Sequence, residues 1–152
     1  MNWAGAGKPL RDFDRVLLVT PPNAGLHPHY TLICDDVRLE VGNRLSLMGM
    51  CQSIAIPQLP ASLIKLAMIT YWHGQGTGTT QTRVLSPDRS QAVLASDPAP
   101  IDLSNGGSTH NVVFFVNVVL PWEGTYWVQT LLNSEVADEV PFTVVLHQHD
   151  VV

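Results

Sequence analysis

YTLICDDVRLEVGNRLSLMGMCQSIAIP, residues 30–57, is the stretch whose reading decides the fold. Ile33, Asp35, Val37, Leu39 and Val41 alternate with Cys34, Asp36, Arg38 and Glu40. A period of two is the mark of a half-buried strand. Gly42-Asn43 supplies a turn. Arg44 to Gln52 then reads as the return strand, with Leu45, Leu47, Gly49 and Cys51 on one face. Matching the apolar faces pairs Leu39 with Leu45 or Leu47 and requires an odd loop of three to five residues. In that register Cys34 falls on the polar face and Cys51 on the apolar one. Two free thiols are therefore expected, because a disulfide needs converging Cβ atoms.

The same alternation separates the one adjacent pair of acids. Neighbouring strand residues point to opposite faces, so Asp35 and Asp36 cannot share one proton or one substrate atom. Asp35 is expected on the apolar side. Both are read as structural acids that accept backbone N–H bonds.

Outward from the hairpin, the chain reads as further short strands. Arg15–Thr20 (RVLLVT) is an added strand or docking arm carrying Leu17 and Leu18, and residues 21–29 form a loop. Pro57 and Pro60 end the hairpin. Leu63–Trp72 is a strand by its β-branched and aromatic residues. Gly74–Thr80 (GQGTGTT) reads as a loop or weak edge, and Gln81–Leu85 as its continuation. Pro87 fits the second position of a type I turn over residues 86–90, and Gln91–Ala95 returns. Residues 96–110, rich in Pro, Ser and Gly, read as a long loop of the kind that carries function. Asn111–Leu120 (NVVFFVNVVL) is apolar on both faces and reads as a central strand. PWEG at 121–124 turns into Thr125–Leu132, Asn133-Ser134 turns again, and Pro141–His147 closes the set. The expectation is an all-β, antiparallel immunoglobulin-like β-sandwich of about seven to nine strands. Residues 1–29 form an N-terminal extension, and residues 30–148 a single domain.

Residues 32–145 resemble a family of small bacterial β-sandwich proteins of unknown function. The resemblance is carried by ICDDVRLE, the Gly-Asn-Arg turn, LSLMGM, PxLP at 57–60, SPD at 86–88, PWEGTYW at 121–127 and the NSE turn. It implies the fold and a bacterial or phage origin. It implies no activity.

Composition narrows function mainly by exclusion. Charged residues make up only 14% of the 152 residues, against roughly 25% in ordinary soluble domains. Either a Thr/Ser/Asn/Gln surface replaces the charge, or part of the surface is covered in an assembly. The net charge is −5 without any basic block, which excludes a nucleic-acid footprint. No segment has the run of about 20 apolar residues needed to cross a membrane. With no signal peptide in the first twenty residues and two cysteines, the expected compartment is the cytoplasm.

No catalytic motif stands out. Gly5-Ala6-Gly7-Lys8 lacks the spacing of a phosphate loop and runs into Pro9. His27-Pro-His29 and His147-Gln-His149 have a spacing that suits zinc or copper on a strand. They sit in a loop and at a terminus, so no metal or other cofactor is assigned. The sequence favours a non-enzymatic interaction or assembly module, with itself or another protein as partner. Its candidate contacts are Trp72, Trp122, Trp127, Asn105, Gly106, Gly107, Leu17 and Leu18. Gly42, Gly49, Gly124 and Tyr126, with the two acids, are read as structural. The alternatives are a carbohydrate- or ligand-binding sandwich using the tryptophans, and an enzyme with an unrecognised site.

Overall fold

A computed structural model describes residues 25–147 of the chain. These residues contain nine strands and no helix: β1 Leu26–Cys34, β2 Asp36–Glu40, β3 Arg44–Met48, β4 Ser53–Ile56, β5 Ala61–Leu85, β6 Ala92–Ala95, β7 Ala99–Leu120, β8 Gly124–Leu132 and β9 Glu135–Leu146. The main sheet runs β1-β5-β8-β9-β4, with β6 and β7 also on β5. The fold is an immunoglobulin-like β-sandwich built from this one curled sheet. All pairings are antiparallel except β4 with β9.

β5 makes the curl. Its first half lies between β1 and β7, as Leu32↔Ile69↔Val112 shows. Its second half pairs with β8, as in Val84↔Val128. The register with β7 slips between Gly74 and Gly76. Gly74 and Gly76 have φ of 122° and 144°, and Gly106 and Gly107 of 77° and 119°. Glycine adopts these angles without steric cost, so the β5–β7 ribbon turns from one layer into the other there. GQGTGTT is therefore strand, not loop. So is most of 96–110: Asn105 and Gly106, with Ser104, are the unpaired residues of the matching bulge inside β7, and Gly107 pairs with Gly74 beside it.

The core fills the space between the layers. Ile33, Leu66 and Met68 come from one layer, and Val84, Tyr126, Val128, Phe142 and Val144 from the other. Three threonines tie the layers together: Thr31, Thr70 and Thr130 hydroxyls lie 3.2–3.3 Å apart. Thr31 donates to Asp138 Oδ2 at 3.1 Å. Each hydroxyl has one proton. Thr31 spends its own on Asp138, so Thr70 and Thr130 supply the donors within the ring. A second cluster packs Trp72 with Leu26, Ile101 and Leu103 at the glycine corner.

The opening hairpin keeps its expected register but not its expected place. Leu39 pairs Leu45 and Glu40 pairs Arg44, leaving a three-residue loop with Gly42 and Asn43 at φ 81° and 61°. The chain bends at Asp35, however, so β2 and β3 form a separate two-stranded ribbon. Leu39 and Val41 are exposed on it, not buried in the core. β1 also starts at Leu26, inside the stretch read as loop.

Candidate interaction surface

The bend at Asp35 resolves the chemistry of the opening stretch. The Asp35 amide donates to Met48 O at 2.9 Å, and the Cys51 amide to Ile33 O at 2.9 Å. Asp35 is exposed instead of facing the apolar side, because the bend resets the alternation. Its carboxylate packs over Gly49, where φ is 66° and a Cβ would overlap it. Asp36 Oδ1 accepts from Lys65 Nζ at 2.6 Å and from the Val37 amide at 3.0 Å. The Lys65 hydrogen bond holds the Asp36 carboxyl below its ordinary pKa.

Cys34 is wholly buried opposite Ala67 instead of lying on a polar face, while Cys51 is half-buried and packs against the core as its apolar placement predicts. Both thiols are free. Burial raises both pKa values; the charges of Cys51 and Asp35 add to the rise at Cys34, and that of Asp35 at Cys51. Raised values disfavour the thiolate and argue against a nucleophile here.

The three candidate tryptophans separate. Trp72 is fully buried in the corner cluster and cannot serve as a surface anchor. Apolar partners from β1 and β7 enclose it once residues 99–103 become strand. Trp127 is half-buried beneath Arg89, whose guanidinium lies 4.3 Å from the ring centroid. Trp122 is exposed in the turn before β8. Its amide donates to Tyr126 Oη at 2.9 Å, and Tyr126 donates back to the Trp122 carbonyl at 2.8 Å. This is a tyrosine-corner arrangement. Gly124 begins β8 at φ 132° with Pro87 packed against its α-carbon. Leu17 and Leu18 lie outside the described residues.

Sequence reasoning missed the surface formed by β1, β5 and β7. Three cross-strand rows point away from the threonine ring: Tyr30–Tyr71–His110, Leu32–Ile69–Val112 and Cys34–Ala67–Phe114; Tyr30 and Phe114 are exposed, and Ile69, Cys34 and Ala67 are buried. Tyr30 and Tyr71 stack at 5.3 Å, and Tyr71 meets His110 at 4.8 Å. His29 and His27 add imidazoles 5.0 and 5.5 Å from that of His73. Burial, then the neighbouring His29 and His27, lower the His73 pKa. No group of three or more His, Cys, Asp or Glu among the described residues is arranged to hold a metal ion. The His147 amide donates to Ile56 O at 2.7 Å, and His149 lies outside the described residues.

β7 bounds this surface, and it is an edge strand rather than the expected central one. Among the described residues it pairs with β5 alone. Of the other strands paired on one side only, β4 and β6 have four residues each, and the nine-residue β1 has its Ile33 carbonyl taken by the Cys51 amide. Phe114 is 46% exposed and Val116 65%, and Asn111–Leu120 contains no charge. Apolarity on both faces was read as burial on both faces. An unpartnered edge gives the same pattern, and pairing is not written in a single strand. Elsewhere, an open cleft of about 770 Å³ separates β1 from β9. Leu32, Met50, Cys51 and Pro141 are among its lining, and no tryptophan is. No helix among the described residues is long and apolar enough to cross a membrane.

Comparison with known proteins finds one family and, among solved structures, distant likenesses of which two are described. No curated protein matches the chain. An alkylpurine DNA glycosylase from Pseudomonas fluorescens, solved bound to DNA with an abasic site analog, aligns at 8% identity and TM-score 0.48. The alignment covers 80% of this chain and 30% of the glycosylase. An immunoglobulin-like protein from Pseudomonas aeruginosa aligns at 15% identity and TM-score 0.43, over 82% of this chain and 99% of its own. Residues 29–145 match a family of unknown function, DUF6941, across most of the described fold, and the chain belongs to that family.

Proposed function

We propose that the protein is a non-enzymatic interaction or assembly module that docks a protein partner, or itself, through the β1–β5–β7 layer. One observation carries the reading. β7 presents ten uncharged, largely apolar residues along an edge with no partner among the described residues. Natural edge strands are normally blunted by charge, proline or short length, and an open apolar one is a template for another chain. Phe114, Val116 and the Tyr30–Tyr71 stack extend the apolar area onto the adjoining face. Two unpaired thiols are in keeping with a cytoplasmic setting.

The carbohydrate reading is weaker. Burial removes Trp72, Arg89 covers Trp127, and Trp122 alone does not make a platform. Light scattering over a concentration series tests the docking reading. The native chain is expected to associate, and Phe114→Lys and Val116→Lys to release it as a folded monomer. A native chain that is monomeric at every concentration would sink self-association. Association unchanged in both variants would move the contact off this layer.

A further inference from the structure

We propose that docking through the β1–β5–β7 layer is switched off by mild acid, through the imidazoles of His27, His29, His73 and His110. The inference rests on the docking reading and adds its regulation. The rings come from three strands: His27 and His29 from β1, His73 from β5 and His110 from β7. Register gathers them. His27 pairs with His73 and Tyr71 with His110. The β1–β5 register slips between Pro28 and Tyr30, which leaves His29 as an extra residue beside this pair. The His73 ring lies 5.0 Å from that of His29 and 5.5 Å from that of His27. His29 stands edge-on to Tyr71 at 5.8 Å and to Tyr30 at 6.2 Å. His110 lies 4.8 Å from the Tyr71 ring, and its Nε2 is 3.4 Å from the Tyr30 hydroxyl. The imidazoles are thus interleaved with the stacked tyrosines of the docking layer.

Histidine ordinarily titrates at about 6.5, so a small fall in pH can charge it. Uncharged, the rings form an aromatic surface that a partner can cover. Charged, each must shed its water to be covered, at a cost in free energy. A second charge also falls about 5 Å from the first. The His73 pKa is lowered by burial, then by His29 and His27, so this seat favours the neutral ring. Among the described residues, no carboxylate is bonded to any of the four imidazoles. Tyr30 and Tyr71 are the other titratable groups against them. The nearby charges are engaged elsewhere. Asp102 accepts from the Ser104 amide, Asp138 accepts from Thr31 on the inner side, and Lys65 pairs with Asp36 at the Val116 end. His29 and His110 are exposed, so the undocked face takes up protons that a docked one excludes. By linkage, affinity falls about tenfold per pH unit below that range for each imidazole that must stay neutral.

Light scattering over a concentration series of the full chain, at about pH 7.5 and about pH 5.5, tests the switch. The native chain is expected to associate about tenfold or more weakly at the lower pH. Combining His27→Gln, His29→Gln, His73→Gln and His110→Gln keeps polar side chains that do not titrate. This fourfold variant should associate equally at both pH values. The near-UV signal of buried Trp72 reports that it is folded. His147→Gln, away from this layer, should keep the native response; losing the response there would overturn the assignment. Association of the native chain that ignores pH overturns the switch and leaves docking intact. So does an equal loss in the native chain and the fourfold variant. Should the fourfold variant not associate at all, imidazole NMR of the native chain decides. By linkage the four rings must titrate at lower pH in a concentrated sample than in a dilute one, and identical titrations overturn the switch. A native chain monomeric at every concentration at about pH 7.5 fails at the docking reading itself, and the switch falls with it.

Discussion

The two layers share one interior and differ outside. On the β5–β8–β9 layer, Arg83 donates to Gln129, Gln129 donates to Glu139, and Arg89 grips Glu139 with two bonds of 2.7 and 3.0 Å while covering Trp127. Its largest outer aromatic is thus roofed by a cation, and the roof is tied down. On the β1–β5–β7 layer, the corresponding rows hold Tyr, His, Leu, Ile, Val, Cys, Ala and Phe, of which Tyr30 and Phe114 are exposed and Cys34, Ala67 and Ile69 buried. Its one cation close to an aromatic is Lys65, 5.2 Å from the Phe114 ring centroid and already committed to Asp36. Val116 has no such cover. A side-chain network of this kind is built where water is the final neighbour. No such network covers Val116 among the described residues, which is the contrast the docking proposal builds on.

The contrast can be broken in a graded way. Phe142→Ala empties the core shared by both layers and is expected to cost about 3–5 kcal/mol. In a denaturant titration, fluorescence and far-UV signals should fall together; separate transitions would mean that the layers are independent units. Thr130→Val removes one donor from the threonine ring and should cost about 1–3 kcal/mol. A variant as stable as the native chain would show that the ring does not bind the layers together. Glu139→Gln weakens the outer network of one layer, with an expected loss of about 1 kcal/mol or less and no change in assembly state. Val116→Lys on the other layer is expected to do the opposite, changing stability by less than about 0.5 kcal/mol while abolishing association. If these two variants exchanged phenotypes, the contrast between the faces would be wrong.

The smallest effect is one of pH. Asp88 is held at about 2, below its ordinary 3.8, chiefly by the hydroxyls of Ser86 and Ser90 and then by the Ser90 amide. A depressed carboxyl stabilises fully above its unfolded value. That contribution is lost as pH falls from 3.8 through about 2. Asp88→Asn should flatten the acid limb of the stability curve there, read by thermal melts at pH 2 to 5. An unchanged limb would assign acid sensitivity to other carboxyls.

Much of the fold was legible because strand period and turn chemistry are local. Leu39 could find Leu45 from alternation and a Gly-Asn turn alone. The bend at Asp35 was not legible, since one skipped alternation leaves no composition signal. That bend puts Cys34 in the interior instead of on a polar face. The glycines of 74–78 and 106–107 were read as loop because they lower strand propensity. Here they are the corner at which two long strands change layers. The edge position of β7 was the least legible part. It depends on which strands are neighbours, and Asn111–Leu120 is equally suited to the middle of a sheet and to an edge awaiting one.

The β5–β7 ribbon has a kinetic consequence. Its pairs are closest in sequence at Thr80–Ala99 and furthest at Ala61–Leu120. Once the near end forms, each further rung closes only a small additional loop, so the ladder can zip outward at little entropic cost per step. It must pass the slip between Gly74 and Gly76 to continue. Until it does, β1 lacks the half of β5 it pairs with, and the Tyr30–Tyr71 stack cannot form. The glycine corner is thus a step in time as well as a bend in space: the rungs beyond it close only after those nearest Thr80–Ala99.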